Sequence, residues 1–349
     1  NINIELREML ADIVFIDRAS IQTEAFFLRE NGILTQKECD LFFEKGYAGK
    51  RNAILHAAAK RGMDAILFLD DDEYPLAVRR TGGNESWIGQ QILSTHLGFI
   101  DEATITCGHH CGYISPIPNI TFDPRLSEVD FRMFIEAISN DIISWERVKS
   151  LMENGSITYA TERILDGTAV ETPLVGKTKF ITGSNLCINL TNLSELSAFY
   201  NPPSARGEDT FLSTCLADCI VMRVPCYTFH DGFSVYTSLL HGVLPQKLEH
   251  IMGDSKKVAT RFFSACIGWI RYKPLLLYIT RRDEYKVQIA KMRENLIAVL
   301  PKLCDYFSNK KFMDILDELN KYDRQVEKHF AAFHTTQAAW KKLAAYLEA

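Results

Sequence analysis

No uncharged apolar run in this chain approaches the ~20 residues that a bilayer-spanning helix requires, so none is read as a membrane span. Basic charge is not in excess: 39 Lys and Arg stand against 44 Asp and Glu, a formal net charge of −5. That balance argues against bulk nucleic-acid binding. A disulfide framework is missing too. The nine cysteines are odd in number and scattered, which suits reduced thiols in a cytoplasmic setting. The opening residues, Asn1 to Glu5, lack a basic stretch followed by an apolar core, so they do not read as a signal peptide. No internal repeat or low-complexity tract is visible. Glycine nearly disappears after about residue 258 while charges alternate in sign, and three or four helices are expected there. The 349 residues suffice to bury a large core.

What is present begins with an apolar run that ends in acids. Ala65-Ile66-Leu67-Phe68-Leu69 leads into Asp70-Asp71-Asp72-Glu73, then Tyr74-Pro75. Five consecutive apolar residues suit a buried strand of a parallel sheet. Carboxylates crowded at its end repel one another and lose hydration, and a divalent cation removes that penalty. Oxygen ligands plus substrate phosphates are what Mg²⁺ or Mn²⁺ prefers. The competing reading is a solvated acidic turn.

Around this run the pattern alternates. A helix end at Ile4 to Leu10 precedes an apparent strand, Ala11 to Asp17. Helices are expected at Lys37 to Phe43 and Ala48 to Arg61, ahead of the acid-tipped strand. This is the alternation of a doubly wound α/β sheet. Further on, Ala103 to Cys107 reads as a strand, Asp130 to Glu153 as a helix carrying Ile142 and Ile143 on its apolar face, and Phe180 to Asn185 as a strand and turn. Gly207-Glu208-Asp209-Thr210 precedes a helix from Phe211 to Ala217. A strand from Cys219 to Val224 leads through Pro225 to His230.

Three separated elements fall in a telling order: Lys50-Arg51-Asn52 on a helix, the Asp70–Asp72 cluster some ten residues beyond that helix, and Glu208-Asp209 followed about twenty residues later by His230. The set resembles the inverting GT-A glycosyltransferases, especially the large family-2 group, over about residues 11 to 235. The resemblance implies an α/β GT-A fold, Rossmann-like, with a mostly parallel sheet flanked by helices. It would occupy residues 1–240 as the nucleotide-sugar-binding and catalytic domain, with a helical C-terminal region at 241–349. One departure stands out: no apolar strand and loop that would cradle the nucleoside precede Ile4. The stretch from Arg79 to Lys177 reads as insertions specific to the acceptor.

The implied function is metal-dependent transfer of a hexosyl or N-acetylhexosaminyl group from a nucleoside-diphosphate sugar to a hydroxyl acceptor. Uridine is the commonest base in the group and guanosine the alternative. Asp70 and Asp72 would hold Mn²⁺ or Mg²⁺ across both phosphates. By resemblance Asp72 is the direct ligand, Asp70 reaches the ribose or a bound water, and Asp71 lies beside the donor. His230 would add a metal contact, or is a structural histidine. Inversion needs one base to take the acceptor proton; the resemblance gives that role to Asp209, with Glu208 contacting an acceptor hydroxyl or structuring the loop. Asp209 has the alternative of capping the following helix. Asp17 would contact the nucleobase or cap the next helix; Lys50 and Arg51 would meet the base or the diphosphate, or stay solvated. The acceptor is a glycan, a lipid-linked molecule or a small molecule. A retaining enzyme and a non-catalytic nucleotide-sugar or glycan-binding module are the alternatives.

Other motifs carry less. Cys107-Gly108-His109-His110-Cys111 has zinc-ligand types, but four ligands in five residues cannot close one tetrahedron without strain. A phosphatase of the haloacid dehalogenase type needs a small polar residue where Tyr74 stands, and a nucleotidyltransferase needs an N-terminal glycine-rich loop that is not seen. Residues 260–282 mix aromatic and basic side chains. They suit either peripheral contact with the inner membrane face or a helix pair packed on the sheet domain or on a second subunit.

Overall fold

The computed structural model describes residues 4–139 and 144–349. Four helices come first: α1 (Ile4–Met9), α2 (Arg18–Glu30), α3 (Gln36–Phe42) and α4 (Tyr47–Lys60). Strand β1 (Ala65–Phe68) follows, then β2 (Glu73–Tyr74), the ribbon β3 (Leu76–Thr81) and β4 (Asn84–Gly89), helix α5 (Ile92–Leu97) and β5 (Ile105–Gly112). Next are α6 (Glu128–Ile138), α7 (Trp145–Glu153), α8 (Glu162–Leu165), β6 (Val170–Glu171), β7 (Leu186–Asn189), α9 (Glu208–Ser213) and β8 (Val221–His230). The chain closes with α10 (Lys256–Thr280), α11 (Tyr285–Tyr306), α12 (Asp314–Arg324) and α13 (Val326–Leu347).

The fold is α/β, but its sheet is mixed rather than mostly parallel. Strand order is β1-β7-β5-β8-β2, with β6 on the same edge of β8 as β2. Of the pairings, only β5 with β8 is parallel; β1–β7, β5–β7, β2–β8 and β6–β8 are antiparallel. The correction comes from β7, which begins at Leu186, just past the strand and turn expected at 180–185. It runs between β1 and β5 against both, so that β1, β5 and β8 all point the same way. Pro225 is accommodated within β8 because the register against β5 slips there, from Cys107↔Arg223 to His109↔Tyr227; proline cannot donate to a ladder and is tolerated at such a bulge.

The strand expected at 11–17 pairs with no strand among the described residues. Asp17 instead caps α2, its carboxylate accepting from Ser20 N at 2.8 Å. The single helix expected at 130–153 is two, because Ser127 and Ser144 each cap a separate start; Ile142 and Ile143 lie outside the described residues.

The hydrophobic core does not divide at residue 240. One cluster joins Phe131, Phe134 and Phe211 to Phe262, Leu296 and Phe312 of the C-terminal helices. Another joins Leu28, Phe42 and Phe199 to Trp340 and Leu343 of α13. Of the apolar side chains of residues 260–282, Phe262, Ile270 and Leu275 to Leu277 are buried in the first cluster, and Phe263, Ile267, Trp269, Tyr278 and Ile279 are partly buried against it. Among the described residues no helix is long and apolar enough to cross a membrane.

Candidate functional site

The three codirectional strands end on one edge of the sheet. Asp70 follows β1, Tyr113 follows β5 and His230 ends β8. This is the rim where ligands of open α/β sheets bind. The acidic turn is pinned there by its own backbone. Glu73 pairs with His230 and Tyr74 with Phe229 across β2–β8, and Asp231 N donates to Asp72 O at 3.0 Å.

Arg51 ties the acidic turn to the Glu208-Asp209 segment. It is 8% exposed, and its guanidinium meets Asp70 Oδ1 at 3.3 Å and Glu208 Oε1 at 3.4 Å. The same group lies over the rings of Phe68 and Phe199, 5.1 and 5.7 Å from their centroids. Gly183 leaves room: a Cβ there would come within 3.2 Å of Arg51 Nη2. Of the two expectations for Arg51, the solvated side chain is the one the structure replaces: the guanidinium is a buried ion-pair bridge between two carboxylates.

His230 and Asp72 face each other at 3.2 Å, Nε2 to Oδ2. The other ring nitrogen, Nδ1, is 2.9 Å from Tyr113 O. A carbonyl only accepts, so Nδ1 carries a proton. In the neutral ring Nε2 would present a lone pair to a carboxylate oxygen; a proton on Nε2 turns the contact into a hydrogen bond donated to Asp72, and a cation held by both atoms is the other way to relieve it. Burial pulls the imidazole's pKa down, but the Asp72 carboxylate outweighs it and the net shift is upward. Asp72 is correspondingly held below the usual carboxylate range by the His230 bond. Two ligand atoms at right angles around an ion with bonds of about 2.1 Å are about 3 Å apart, so the 3.2 Å separation that suits a hydrogen bond would also let this pair supply two ligands to Mn²⁺ or Mg²⁺. Among the described residues no three His, Cys, Asp or Glu side chains gather into a complete metal cage; such an ion would draw its remaining ligands from phosphate and water.

Sequence reasoning missed the support behind this turn. Glu73 accepts from Ser184 Oγ at 2.7 Å and meets His110 Nε2 at 3.0 Å. Ser184 Oγ in turn accepts from Asp70 N at 2.9 Å. Burial raises the Glu73 pKa, yet the His110 and Ser184 contacts prevail and hold it below the ordinary value. Nothing in the spacing signals Ser184; the chain brings it over by starting β7 beside β1. Arg261, at the start of α10, was also missed. A Cβ on Gly232 would be 2.7 Å from His230 Cε1 and 3.1 Å from Arg261 Nη2, so imidazole and guanidinium flank one glycine.

Glu208 and Asp209 open α9. Gly207, at φ +95°, makes the turn, and a Cβ there would press on the Tyr272 ring at 3.0 Å. Burial raises the pKa of both acids; the neighbouring Asp209 raises Glu208 further, while Arg51 opposes. Asp209 Oδ1 accepts from the adjacent Thr210 N at 2.7 Å. Asp71 is exposed at the tip of the acidic turn.

Asp17 and Lys50 lie elsewhere, on a cavity of about 1500 Å³ between α2, α4 and residues 11–18. Asp17 is occupied as a cap, and Lys50 is exposed. Glu44 lines the same cavity with its Oε1 unpartnered, and burial lifts its pKa to about 7. Of the cysteine–histidine motif, His110 pairs with Glu73, and His109 lies against Tyr227 with its pKa lowered to about 4 by burial. Cys107 and Cys111 are buried, and all nine cysteines are free thiols.

Compared with known proteins, the chain matches no family model, no curated protein and no solved structure.

Proposed function

We propose that this protein is a metal-dependent glycosyltransferase of GT-A-like architecture, moving a sugar from a nucleoside-diphosphate donor to a hydroxyl acceptor with inversion. One observation carries the reading. Four segments far apart in sequence (Arg51, Asp70–Asp72, Glu208-Asp209 and His230) meet at the C-terminal edge of β1, β5 and β8.

In this reading Asp72 and His230 would hold the cation, whose chemistry would be to neutralise charge on the departing diphosphate. Arg51 keeps Asp70 and Glu208 in place and balances their charge. Asp209 takes the proton of the acceptor hydroxyl as its oxygen bonds to the anomeric carbon; the bond from that carbon to the diphosphate oxygen breaks, and its electron pair leaves with the diphosphate. A base that is useful near neutrality needs a raised carboxyl pKa, and burial shifts Asp209 in that direction.

The test is release of nucleoside diphosphate from UDP- and GDP-sugars with and without Mn²⁺. Slow metal-dependent hydrolysis, lost in Asp72→Ala together with calorimetric donor binding, is the expected result. Donor affinity indifferent to both metal and Asp72 refutes the assignment. Tight metal-dependent binding with no turnover leaves a binding module instead.

A further inference from the structure

A second cavity, about 240 Å³, lies between the loop 201–206, the start of α4 and one face of α10. Its walls include Lys45, Arg206 and Arg271 with the hydroxyls of Tyr47, Ser204 and Ser264, and no acidic residue lines it. Arg271 is already neutralised: its Nε meets Glu318 Oε2 at 2.8 Å, and its Nη1 donates to Ser204 O at 2.9 Å. Lys45 and Arg206 pair with no carboxylate among the described residues. Arg206 is pressed against α10 at Gly268, where a Cβ would come 3.0 Å from Arg206 Cδ.

The loop is held rigidly for this. Asn201, 2% exposed, donates to Pro202 O and Ala205 O and accepts from Ala48 N. Ser204 carries φ +59°, a strained conformation for a residue with a side chain. Arg206 on a braced loop, beside Lys45 from a separate segment and around a concavity without an acid, makes the arrangement of an oxyanion site. Arginine supplies a planar fork, lysine a point charge and the hydroxyls of Tyr47 and Ser204 further donors, while the Ser264 hydroxyl donates to Thr260 O at 2.9 Å.

We propose that this cavity binds a phosphate group carried by the acceptor. The assignment rests on the transferase reading for the word acceptor. Arg206 stands three residues before Asp209, the base of that reading, on the loop that leads directly into α9.

The experiment is calorimetry in EDTA, with inorganic phosphate and glycerol phosphate as probes. The wild-type chain is compared with Arg206→Ala, Lys45→Ala and Asp72→Ala; both basic residues are exposed, and folding is checked by circular dichroism. Glycerol phosphate is expected to bind more tightly than inorganic phosphate. Each basic substitution is expected to weaken it about tenfold. Asp72→Ala and added UDP are expected to leave it unchanged. Unaltered affinity in both basic variants, or no binding by the wild type, overturns the site. Competition by UDP overturns it as well, by giving the cations to the donor diphosphate. Equal binding of the two probes overturns the acceptor assignment in favour of free phosphate. Failure of the transferase reading shows separately, as absent donor hydrolysis.

Discussion

Replacing Arg51 by methionine tests how the two halves of the site are joined. The substitution keeps a long apolar stem and removes the charge. Its contact with Asp70 is worth little, since that side chain is 48% exposed and screened pairs give about 0–1 kcal/mol. Glu208 decides the magnitude. Its side chain is 11% exposed, and stripping the partner from a buried carboxylate costs roughly 3–5 kcal/mol. Loss of the cation–π contacts with Phe68 and Phe199 adds about 0.5–1 kcal/mol. The loss depends on pH. Burial and Asp209 already raise the Glu208 pKa against Arg51, and removing Arg51 raises it further. A carboxyl raised on folding contributes stability that is present below its unfolded pKa and disappears as pH rises through the folded value. Arg51→Met should therefore be more damaging near pH 8 than near pH 5. Urea unfolding at both pH values measures this, and Glu208→Gln added to Arg51→Met should restore about 1–3 kcal/mol. A cost below about 1 kcal/mol, flat with pH and unrelieved by the second change, would refute the bridge.

Three further outcomes follow from the same physics. Glu44→Gln should stabilise the protein above neutral pH and do little near pH 5: the Glu44 pKa is lifted from 4.5 to about 7 by burial, so its ionisation disfavours folding as pH rises through that range. The gain should be about 1–3 kcal/mol at 1.36 kcal/mol per unit, read from thermal unfolding against pH. Asn52→Ala should cost about 2–4 kcal/mol, because Asn52 is fully buried and bonds Phe42 O, Phe199 O and Phe199 N; a smaller loss in urea would mean that the strands of chain it joins are held otherwise. Asp209→Asn should lower transfer by about 10²–10⁴-fold with donor affinity within a few fold, and a joint loss of both would mark Asp209 as structural.

The sequence was most readable where local chemistry decides structure. The helix at 47–60, the acid-tipped β1 and the late helices all announce themselves by periodicity or composition. Strand direction was not readable, because it is set by which neighbour a strand finds. Leu186–Asn189 is only four residues long and looks like the tail of a turn. Ala11 to Asp17 has the composition of a strand, yet a strand exists only when another pairs with it. Among the site residues, the acids and His230 were visible as an ordered set; their contact through Arg51 was not. Glu73, Ser184, His110 and Arg261 were invisible as partners because nothing in linear spacing brings residue 184 to residue 70, or α10 to the end of β8. The oxyanion cavity was hidden for the same reason: Lys45, Arg206 and Arg271 come from three separate segments.

The most direct measurement is anomalous diffraction from crystals grown with Mn²⁺ and UDP. A single manganese peak coordinated by Asp72 and His230, with the diphosphate completing its shell, is the predicted result. A peak remote from both side chains, or nucleotide bound at this rim with no manganese, would contradict the account.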